Sequence, residues 1–215
     1  MVIDVKICGI NSEMALDAAV EGGARAVGFI FYPPSPRFVM LRTAADLAKR
    51  VDPSSGVTRV GVFVDPTIEA LDNALLHVPL DMIQLHGHES PEEVEVIRMT
   101  FRLPVMKAIG VKTADDLNQV EEYASVADRL MFDAKAPEGA LLPGGNAVAF
   151  DWTLLKERNY PLPWTLSGGL TSGNVAAAVR ESGAAAVDVS SGVESAPGRK
   201  DPALIKAFLD AARRL

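Results

Sequence analysis

The feature that most constrains the fold of this chain is the regular alternation of short apolar stretches with longer amphipathic stretches. Hydrophobic periodicity predicts strands for the short stretches and helices for the long ones. The predicted strands are Val2–Cys8, Ala26–Phe31, Arg59–Val64, Met82–His86, Pro104–Ile109, Arg129–Ala134, Trp164–Gly169 and Ala186–Ser191. The predicted helices are Glu13–Gly22, Ala44–Val51, Ile68–Leu76, Pro91–Met99, Ala114–Ala124, Trp152–Glu157, Ser172–Ser182 and Pro202–Leu215.

This alternation indicates a parallel sheet, because two parallel strands need a long return connection between them. Strand and helix alternate eight times, which favours an α/β fold closed into one (β/α)8 TIM barrel, with residues 1–215 as a single domain. An open doubly wound sheet is the alternative, but its first turn would often read G-x-G-x-x-G. The turn Gly9-Ile10-Asn11-Ser12 does not match that pattern, so the barrel is our prediction.

Composition excludes several classes of function. The formal net charge of −7 provides no basic stripe for nucleic acid, although local groups can still hold a small phosphorylated ligand. One cysteine and three histidines form neither an internal disulfide nor a cysteine-rich zinc module. No uncharged apolar run reaches the length of about eighteen residues that a membrane span needs. We therefore expect a cytoplasmic protein that binds neither nucleic acid nor a membrane and has no obligate protein partner.

Polar residues gather where the predicted strands end, which is where barrels of this type place their chemistry. These residues are Cys8, Arg37, Gln84, His86, Asp133, the Gly168-Gly169 pair and Ser190-Ser191-Gly192. Beneath them, Lys6 and Asp188 interrupt apolar strands, and buried charges need partners. We expect these two to form an ion pair that supports the site, with direct catalysis as the alternative.

Two segments near the end of the chain predict a phosphate site. LSGGLT and DVSSGVE follow the seventh and eighth predicted strands, the loops in which phosphate-binding barrels commonly hold this group. Glycine lets a backbone approach a phosphate closely, serine hydroxyls donate, and a short helix starting near Gly192 adds its dipole. Ordinary tight turns are the alternative. The predicted contacts are Gly168, Gly169, Ser190, Ser191 and Gly192.

Seven motifs occur in order along the whole chain: KICG, GFIFYPPSPR, QLHG, FDAK, FDW, LSGGL and DVSSGVE. Together they resemble the phosphoribosylanthranilate isomerase family of tryptophan biosynthesis. The resemblance implies an eight-stranded barrel that needs no cofactor and converts N-(5′-phosphoribosyl)anthranilate to 1-(2-carboxyphenylamino)-1-deoxyribulose 5-phosphate by an Amadori rearrangement.

The resemblance also implies roles for individual residues. Cys8 of KICG corresponds to the general base, and Asp133 of FDAK corresponds to the general acid. Arg37 corresponds to the arginine that meets the anthranilate carboxylate, while Gln84 and His86 correspond to a substrate-contacting pair. Chemistry agrees, because one acid and one base suffice to open a sugar aminal and move a proton. Cys8 then needs nearby positive charge, for which Lys6 is the candidate, and Asp133 must carry its proton in a dry site.

Two other functions stay open at this point. A metal-dependent phosphosugar epimerase needs several converging ligands, and His86 with His88 is a poor set without nearby carboxylates, so we expect no metal site. A catalytically silent phosphate-binding barrel would keep the glycine and serine loops without any use for Cys8 or Asp133. One departure from the family pattern is Gly144-Gly145-Asn146-Ala147, a loop that we expect to affect turnover more than reaction type.

Overall fold

A computed structural model of the chain describes residues 2–136, 139, 144, 149–156 and 158–215. Within them, strands β1 to β8 close into a parallel barrel in sequential order, which confirms the predicted (β/α)8 architecture. The strands are β1 (Asp4–Cys8), β2 (Ala26–Ile30), β3 (Thr58–Phe63), β4 (Met82–Leu85), β5 (Val105–Val111), β6 (Arg129–Ala134), β7 (Trp164–Leu166) and β8 (Ala186–Val189).

The helices lie between the strands. They are α1 (Glu13–Glu21), α2 (Leu41–Arg50), α3 (Ile68–His77), α4 (Pro91–Phe101), α5 (Val120–Ala124), α6 (Val175–Ser182) and α7 (Pro202–Arg213). The reciprocal hydrogen bonds of a capping box join Ser90 and Glu93 at the start of α4, where they satisfy backbone donors that the helix leaves unpaired. Among the described residues, no helix combines the length and apolar character needed to cross a bilayer.

The predicted boundaries fail mainly where 3₁₀ geometry replaces an α-helix. The predicted sixth helix is a 3₁₀ turn at Trp152–Leu155, and the first half of the predicted fifth helix is a 3₁₀ segment at Ala114–Gln119. After β8, a 3₁₀ turn (Ser191–Val193) leads into an antiparallel hairpin of β9 (Glu194–Ala196) and β10 (Arg199–Lys200). This hairpin was not predicted from the sequence, because strands of two or three residues are too short to show an alternation.

The two faces of the barrel strands have different surroundings. Outward residues such as Ile7, Phe29 and Phe132 are fully buried in the main core, together with apolar residues of the helices. The barrel interior holds smaller apolar clusters around Val60, Val62 and Met131, and polar side chains share that interior. Alternation along a strand therefore places chemistry-bearing residues inside the barrel and apolar residues outside it.

Strand register fixes which interior residues are neighbours. Lys6 of β1 lies opposite Asp188 of β8, and Cys8 of β1 lies opposite Gly28 of β2. A Cβ atom on residue 28 would stand 3.0 Å from Cys8 Sγ and 3.2 Å from Lys6 Nζ. Glycine at this position leaves the space that the thiol and the ammonium group occupy.

Candidate active site

A pocket of about 780 Å³, including its open mouth, lies at the carboxyl ends of the barrel strands. Nine of the eleven residues predicted for the site line it: Cys8, Arg37, His86, Asp133, Gly168, Gly169, Asp188, Ser190 and Ser191. Of the described residues predicted for the site, Gln84 and Gly192 lie outside this lining. Cys8 and Asp133 therefore face the same space from β1 and β6, which are three strands apart around the barrel.

The side of the pocket around Cys8 is held by charges, and we call Lys6, Cys8, Asp188 and Ser190 the thiol wall. Lys6 Nζ lies 2.8 Å from Asp188 Oδ1, and both side chains are buried. This confirms the expected ion pair. Burial alone would lower the pKa of Lys6, but Asp188 and Cys8 together outweigh that effect and raise it. Lys6 therefore stays cationic beneath the thiol.

Burial raises the pKa of the Cys8 thiol above its ordinary value. Lys6 and Lys200 oppose that shift with their positive charges, whereas Asp188 adds to it. The cationic contribution of Lys6 was expected from the sequence, but the larger effect of removing the thiol from water was not. The pocket consequently favours the neutral thiol, and forming the thiolate depends on the cations nearby.

The side of the pocket around Asp133 is held by hydrogen bonds, and we call Gln84, His86 and Asp133 the carboxyl wall. His86 Nε2 lies 3.0 Å from Asp133 Oδ2, and the Ala134 amide donates to Asp133 Oδ1 at 2.9 Å. Gln84 Nε2 lies 3.0 Å from His86 Nδ1. Because an amide nitrogen only donates, Nδ1 accepts there and the ring proton resides on Nε2, facing Asp133.

Gln84 is fully buried beneath His86 rather than exposed to the pocket. Its amide nitrogen also contacts Met131 Sδ at 3.4 Å, while its Oε1 has no hydrogen-bond partner among the described residues. An unsatisfied buried acceptor is costly, so a residue of this type at this position requires a reason other than stability. Gln84 therefore contacts the His86 ring from within the barrel, and the substrate contact expected for it from the sequence stays a prediction.

The glycine and serine turns lie together beside the thiol wall. Gly168 and Gly169 have φ values of 95° and 62°, which residues with a Cβ atom rarely adopt. Gly192 packs behind them, where an added Cβ would lie 1.9 Å from the Leu170 carbonyl oxygen. Gly192 thus lets the two turns approach each other, whereas Ser190 and Ser191 line the pocket.

Arg37 lines the pocket, but its guanidinium is bound to the protein. Its Nε donates to Glu194 Oε1 at 2.8 Å and its Nη2 donates to Glu194 Oε2 at 2.9 Å. The edge of the guanidinium formed by Nε and Nη2 therefore pairs with Glu194, and the contact of Arg37 with the anthranilate carboxylate stays a prediction. This geometry holds the arginine at one orientation, so that it presents positive charge at the wall.

Three residues near the pocket escaped the sequence analysis: Gly28, Glu194 and Lys200. Gly28 carried a usable signal, because a glycine within a strand often marks a close approach of another group. Glu194 stands at the end of the DVSSGVE motif, but its partner Arg37 is 157 positions away. Lys200 belongs to the unpredicted hairpin, and lysine is a residue type that is rarely buried.

The loop after β6 approaches the carboxyl wall at Gly144. A Cβ atom there would lie 2.6 Å from His86 Nε2 and 2.7 Å from Asp133 Oδ2. The other residues of the variant loop, Gly145, Asn146 and Ala147, lie outside the described residues. In the part of the chain that the structure describes, no three His, Cys, Asp or Glu side chains come together as a metal site would require.

Comparison with known proteins gives one consistent result. Residues 5–211 match the family model described as N-(5′phosphoribosyl)anthranilate (PRA) isomerase. N-(5′-phosphoribosyl)anthranilate isomerase from Paramagnetospirillum magneticum is 59% identical over 213 residues, which cover 99% of this chain and 98% of the relative. The crystal structure of phosphoribosyl anthranilate isomerase from Thermotoga maritima is 38% identical, with a TM-score of 0.88 over 99% of this chain and 100% of that one.

A second solved structure was determined with a ligand. It is phosphoribosyl anthranilate isomerase in complex with reduced 1-(o-carboxyphenylamino)-1-deoxyribulose 5-phosphate, and it is 36% identical to this chain. Its TM-score is 0.85, with 99% of this chain and 100% of that chain covered. These similarities extend over the complete barrel and are not confined to single motifs.

Proposed function

The chain belongs to the N-(5′-phosphoribosyl)anthranilate isomerase family, and from that membership and the pocket we infer how it performs the isomerisation. The reaction converts the aminoaldose N-(5′-phosphoribosyl)anthranilate to the ketose 1-(2-carboxyphenylamino)-1-deoxyribulose 5-phosphate in tryptophan biosynthesis. One observation carries the proposed mechanism: a thiol and a carboxyl that are remote in sequence line one pocket together with the glycine and serine turns.

The proposed substrate orientation follows the chemistry of the pocket lining. The phosphate lies at Gly168, Gly169, Ser190 and Ser191, where backbone amides and the Ser191 hydroxyl are close together. The anthranilate ring lies against the apolar side of the lining, which is formed by Ile30, Tyr32, Val62 and Val64. Arg37, oriented by Glu194, directs its positive charge toward the anthranilate carboxylate. This orientation leaves the reacting carbons between the two walls.

In the first proposed step, Asp133 gives a proton to the furanose ring oxygen. The bond between that oxygen and the anomeric carbon then breaks, and the nitrogen lone pair forms an iminium ion with the anomeric carbon. His86 contacts Asp133 Oδ2 and, with Gln84 behind it, holds the carboxyl toward the ring oxygen. A positioned general acid of this kind contributes on the order of 10² to 10⁴ in rate.

In the second step, the Cys8 thiolate removes the proton from the neighbouring carbon, and the electron pair of the broken C–H bond neutralises the iminium. The resulting enolamine loses its hydroxyl proton to water and takes up a proton from water on the former anomeric carbon, which gives the ketone. Proton exchange with water then returns Cys8 to the thiolate and Asp133 to the acid. All atoms of the substrate stay in the product, so the reaction balances without a redox partner. Burial raises the pKa of Cys8, which makes it a strong base once it is ionised.

The proposed catalytic unit is complete in one chain, because every residue assigned above comes from the same barrel. The small phosphorylated substrate is the partner that the pocket is built to bind. We also propose a cytoplasmic location for the enzyme, in keeping with a biosynthetic reaction on a phosphorylated intermediate.

The test of this function is direct turnover. The purified chain is mixed with freshly prepared phosphoribosylanthranilate, and conversion is followed by chromatography with and without a chelator. We expect conversion that the chelator leaves unchanged. Loss of activity after metal removal would instead support a metal-dependent isomerase, and no conversion by a folded chain would support a silent phosphate-binding barrel.

Two variants test the assigned roles. Cys8→Ser and Asp133→Asn each remove one proton-transfer group with little change of shape, so each is expected to lower kcat/KM by at least about a hundredfold. Asp72→Asn on the exposed face of α3 is the matched control and should retain full activity. Folding is checked by circular dichroism, and binding of the product is measured by calorimetry. Unchanged turnover in either active-site variant would refute the role assigned to that residue.

A further inference from the structure

Lys200 is a buried lysine whose ammonium group contacts Ser190, a residue that lines the active-site pocket. It belongs to β10, and its side chain has no solvent exposure. Its Nζ donates to the Ser190 carbonyl at 2.9 Å, to Ser190 Oγ at 3.2 Å and to Glu194 Oε1 at 2.7 Å. A lysine with this degree of burial needs a reason, because leaving water is unfavourable for an ammonium ion.

A chain of two hydrogen bonds connects Lys200 to Cys8 at the end of β1. Ser190 Oγ accepts from Lys200 and donates its own proton to the Cys8 carbonyl at 3.1 Å. The ammonium nitrogen also lies 3.3 Å from where a Cβ would stand on Gly9, the residue after Cys8. Lys200 is therefore packed beside the carboxyl end of β1, and it reaches the Cys8 backbone through a single hydroxyl.

Charge pairing around Cys8 is unequal. Lys6 has its own carboxylate in Asp188, whereas Glu194 accepts hydrogen bonds from both Arg37 and Lys200. Glu194 therefore divides its two carboxylate oxygens between two cations. The charged groups nearest to Cys8 are thus Lys6 on the same strand, Asp188 on β8 and Lys200 on β10, with Arg37 and Glu194 behind Lys200.

From this geometry we propose that Lys200 is a positioning residue of the isomerase, which stabilises the Cys8 thiolate by its charge and holds the end of β1 through Ser190. The inference rests on the base role proposed for Cys8. The pKa values are consistent with it: burial lowers the pKa of Lys200, the Cys8 thiolate acts in the opposite direction, and Lys200 in turn lowers the pKa of Cys8.

The chain has one cysteine, so alkylation reports on Cys8 alone. The rate of reaction with iodoacetamide is measured against pH, and the midpoint gives the pKa of the thiol in the free enzyme. Lys200→Met removes the ammonium group while keeping an unbranched side chain. We expect its midpoint to rise, with alkylation on the rising part of the curve about threefold to tenfold slower than in the parent chain. At high pH the two rates should converge.

Two further variants show whether charge is the cause. Lys200→Arg keeps the charge and should restore most of the alkylation rate. Glu194→Gln removes the carboxylate that offsets Lys200, so its midpoint should move the other way and alkylation should become faster. Lys206→Met is the matched control, because Lys206 is an exposed lysine on α7 and its replacement should leave the curve unchanged. If the Lys200→Met variant does not fold, the shift of the alkylation midpoint in Glu194→Gln tests the inference by itself.

The outcomes separate this inference from the proposed function. Identical alkylation curves for the parent chain and a folded Lys200→Met variant would overturn the inference, even if turnover fell, because a merely structural lysine would lower turnover without moving the thiol midpoint. Full turnover by Cys8→Ser would refute the base role of Cys8 instead. In that case, the alkylation curves would still measure the coupling between Lys200 and the thiol.

Discussion

The thiol wall and the carboxyl wall face the same pocket but are supported by different interactions. Cys8 stands above a buried ion pair between Lys6 and Asp188. Asp133 instead contacts His86, which contacts Gln84, and no formal charge lies beneath that pair among the described contacts. One wall is therefore organised by charge, and the other by the direction of hydrogen bonds.

The difference corresponds to what each group does in the proposed mechanism. A general base that must become a thiolate inside a dry pocket needs cations nearby, because burial alone favours the neutral thiol. A general acid must present its proton toward one oxygen atom, and oriented hydrogen-bond donors fix that direction. If this account is right, substitutions beneath the two walls should have different consequences for stability and for turnover.

The largest expected effect on stability comes from breaking the ion pair between Lys6 and Asp188 in the thiol wall. Lys6→Met leaves the Asp188 carboxylate buried without its cation, and the free energy of unfolding should fall by about 3–5 kcal/mol. Urea unfolding measures this loss. Adding Asp188→Asn to the same chain should recover most of it, because the uncompensated charge is then removed.

Lys206→Met is the control for the ion-pair experiment. Lys206 pairs with Asp210 on the surface of α7, and its replacement should change stability by less than about 1 kcal/mol. A loss of the same small size in Lys6→Met would contradict the view that the thiol wall is held by charge.

In the carboxyl wall, replacing a buried polar residue by methionine should lower turnover and leave stability nearly unchanged. Gln84→Met leaves His86 Nδ1 without its donor but also removes the unsatisfied Oε1, so the cost of one unpaired acceptor replaces the cost of another. We expect unfolding free energy to change by less than about 1 kcal/mol. Without its fixed tautomer, His86 no longer holds Asp133, so kcat should fall about tenfold with little change in KM.

Gln119→Met serves as the control for Gln84→Met, since Gln119 bonds only locally to the Asp116 carbonyl among its described contacts. It should leave both kcat and stability unchanged. A Gln84→Met enzyme with full turnover would show that His86 is oriented by other groups. A large loss of stability would instead remove the contrast between the two walls.

The sequence was sufficient to predict the barrel and the residues at its strand ends, because both follow from local periodicity. Cys8 and Asp133 stood out as polar groups closing apolar strands, and the alternation of a strand indicates which residues share its interior face. Even the Lys6–Asp188 pair was predictable, since buried charges need partners. These inferences use only neighbours in sequence and the general rule that parallel strands end at one edge.

The supporting residues were not predictable in the same way. The Arg37–Glu194 pair joins residues 157 positions apart. Nothing in the sequence distinguishes this buried arginine and glutamate from an arginine and a glutamate on the surface. Lys200 lies in a short antiparallel hairpin whose strands have three and two residues, too few to show an alternation in the sequence. Gln84 lies on the predicted face of β4, but its depth under His86 depends on side-chain packing that periodicity does not report.

The last expected effect is a pH dependence of stability that arises at the thiol wall. Burial raises the pKa of Cys8 in the folded chain, so the unfolded chain releases the thiol proton at lower pH than the folded chain does. The stability contributed by the neutral thiol is therefore fully present below the unfolded pKa of about 8.5 and is lost as the pH rises through the folded value. Urea unfolding of the parent chain and of Cys8→Ala, from about pH 7 to about pH 10, isolates this contribution, because all other titrating groups are common to both.

The difference in unfolding free energy between the two chains should be constant up to about pH 8. Above that pH the parent chain should lose stability relative to Cys8→Ala by at most about 1.4 kcal/mol per pH unit. A difference that stays constant over the whole range would mean that the Cys8 thiol has the same pKa in the folded chain as in the unfolded chain. The nearby cations would then fully compensate for the effect of burial.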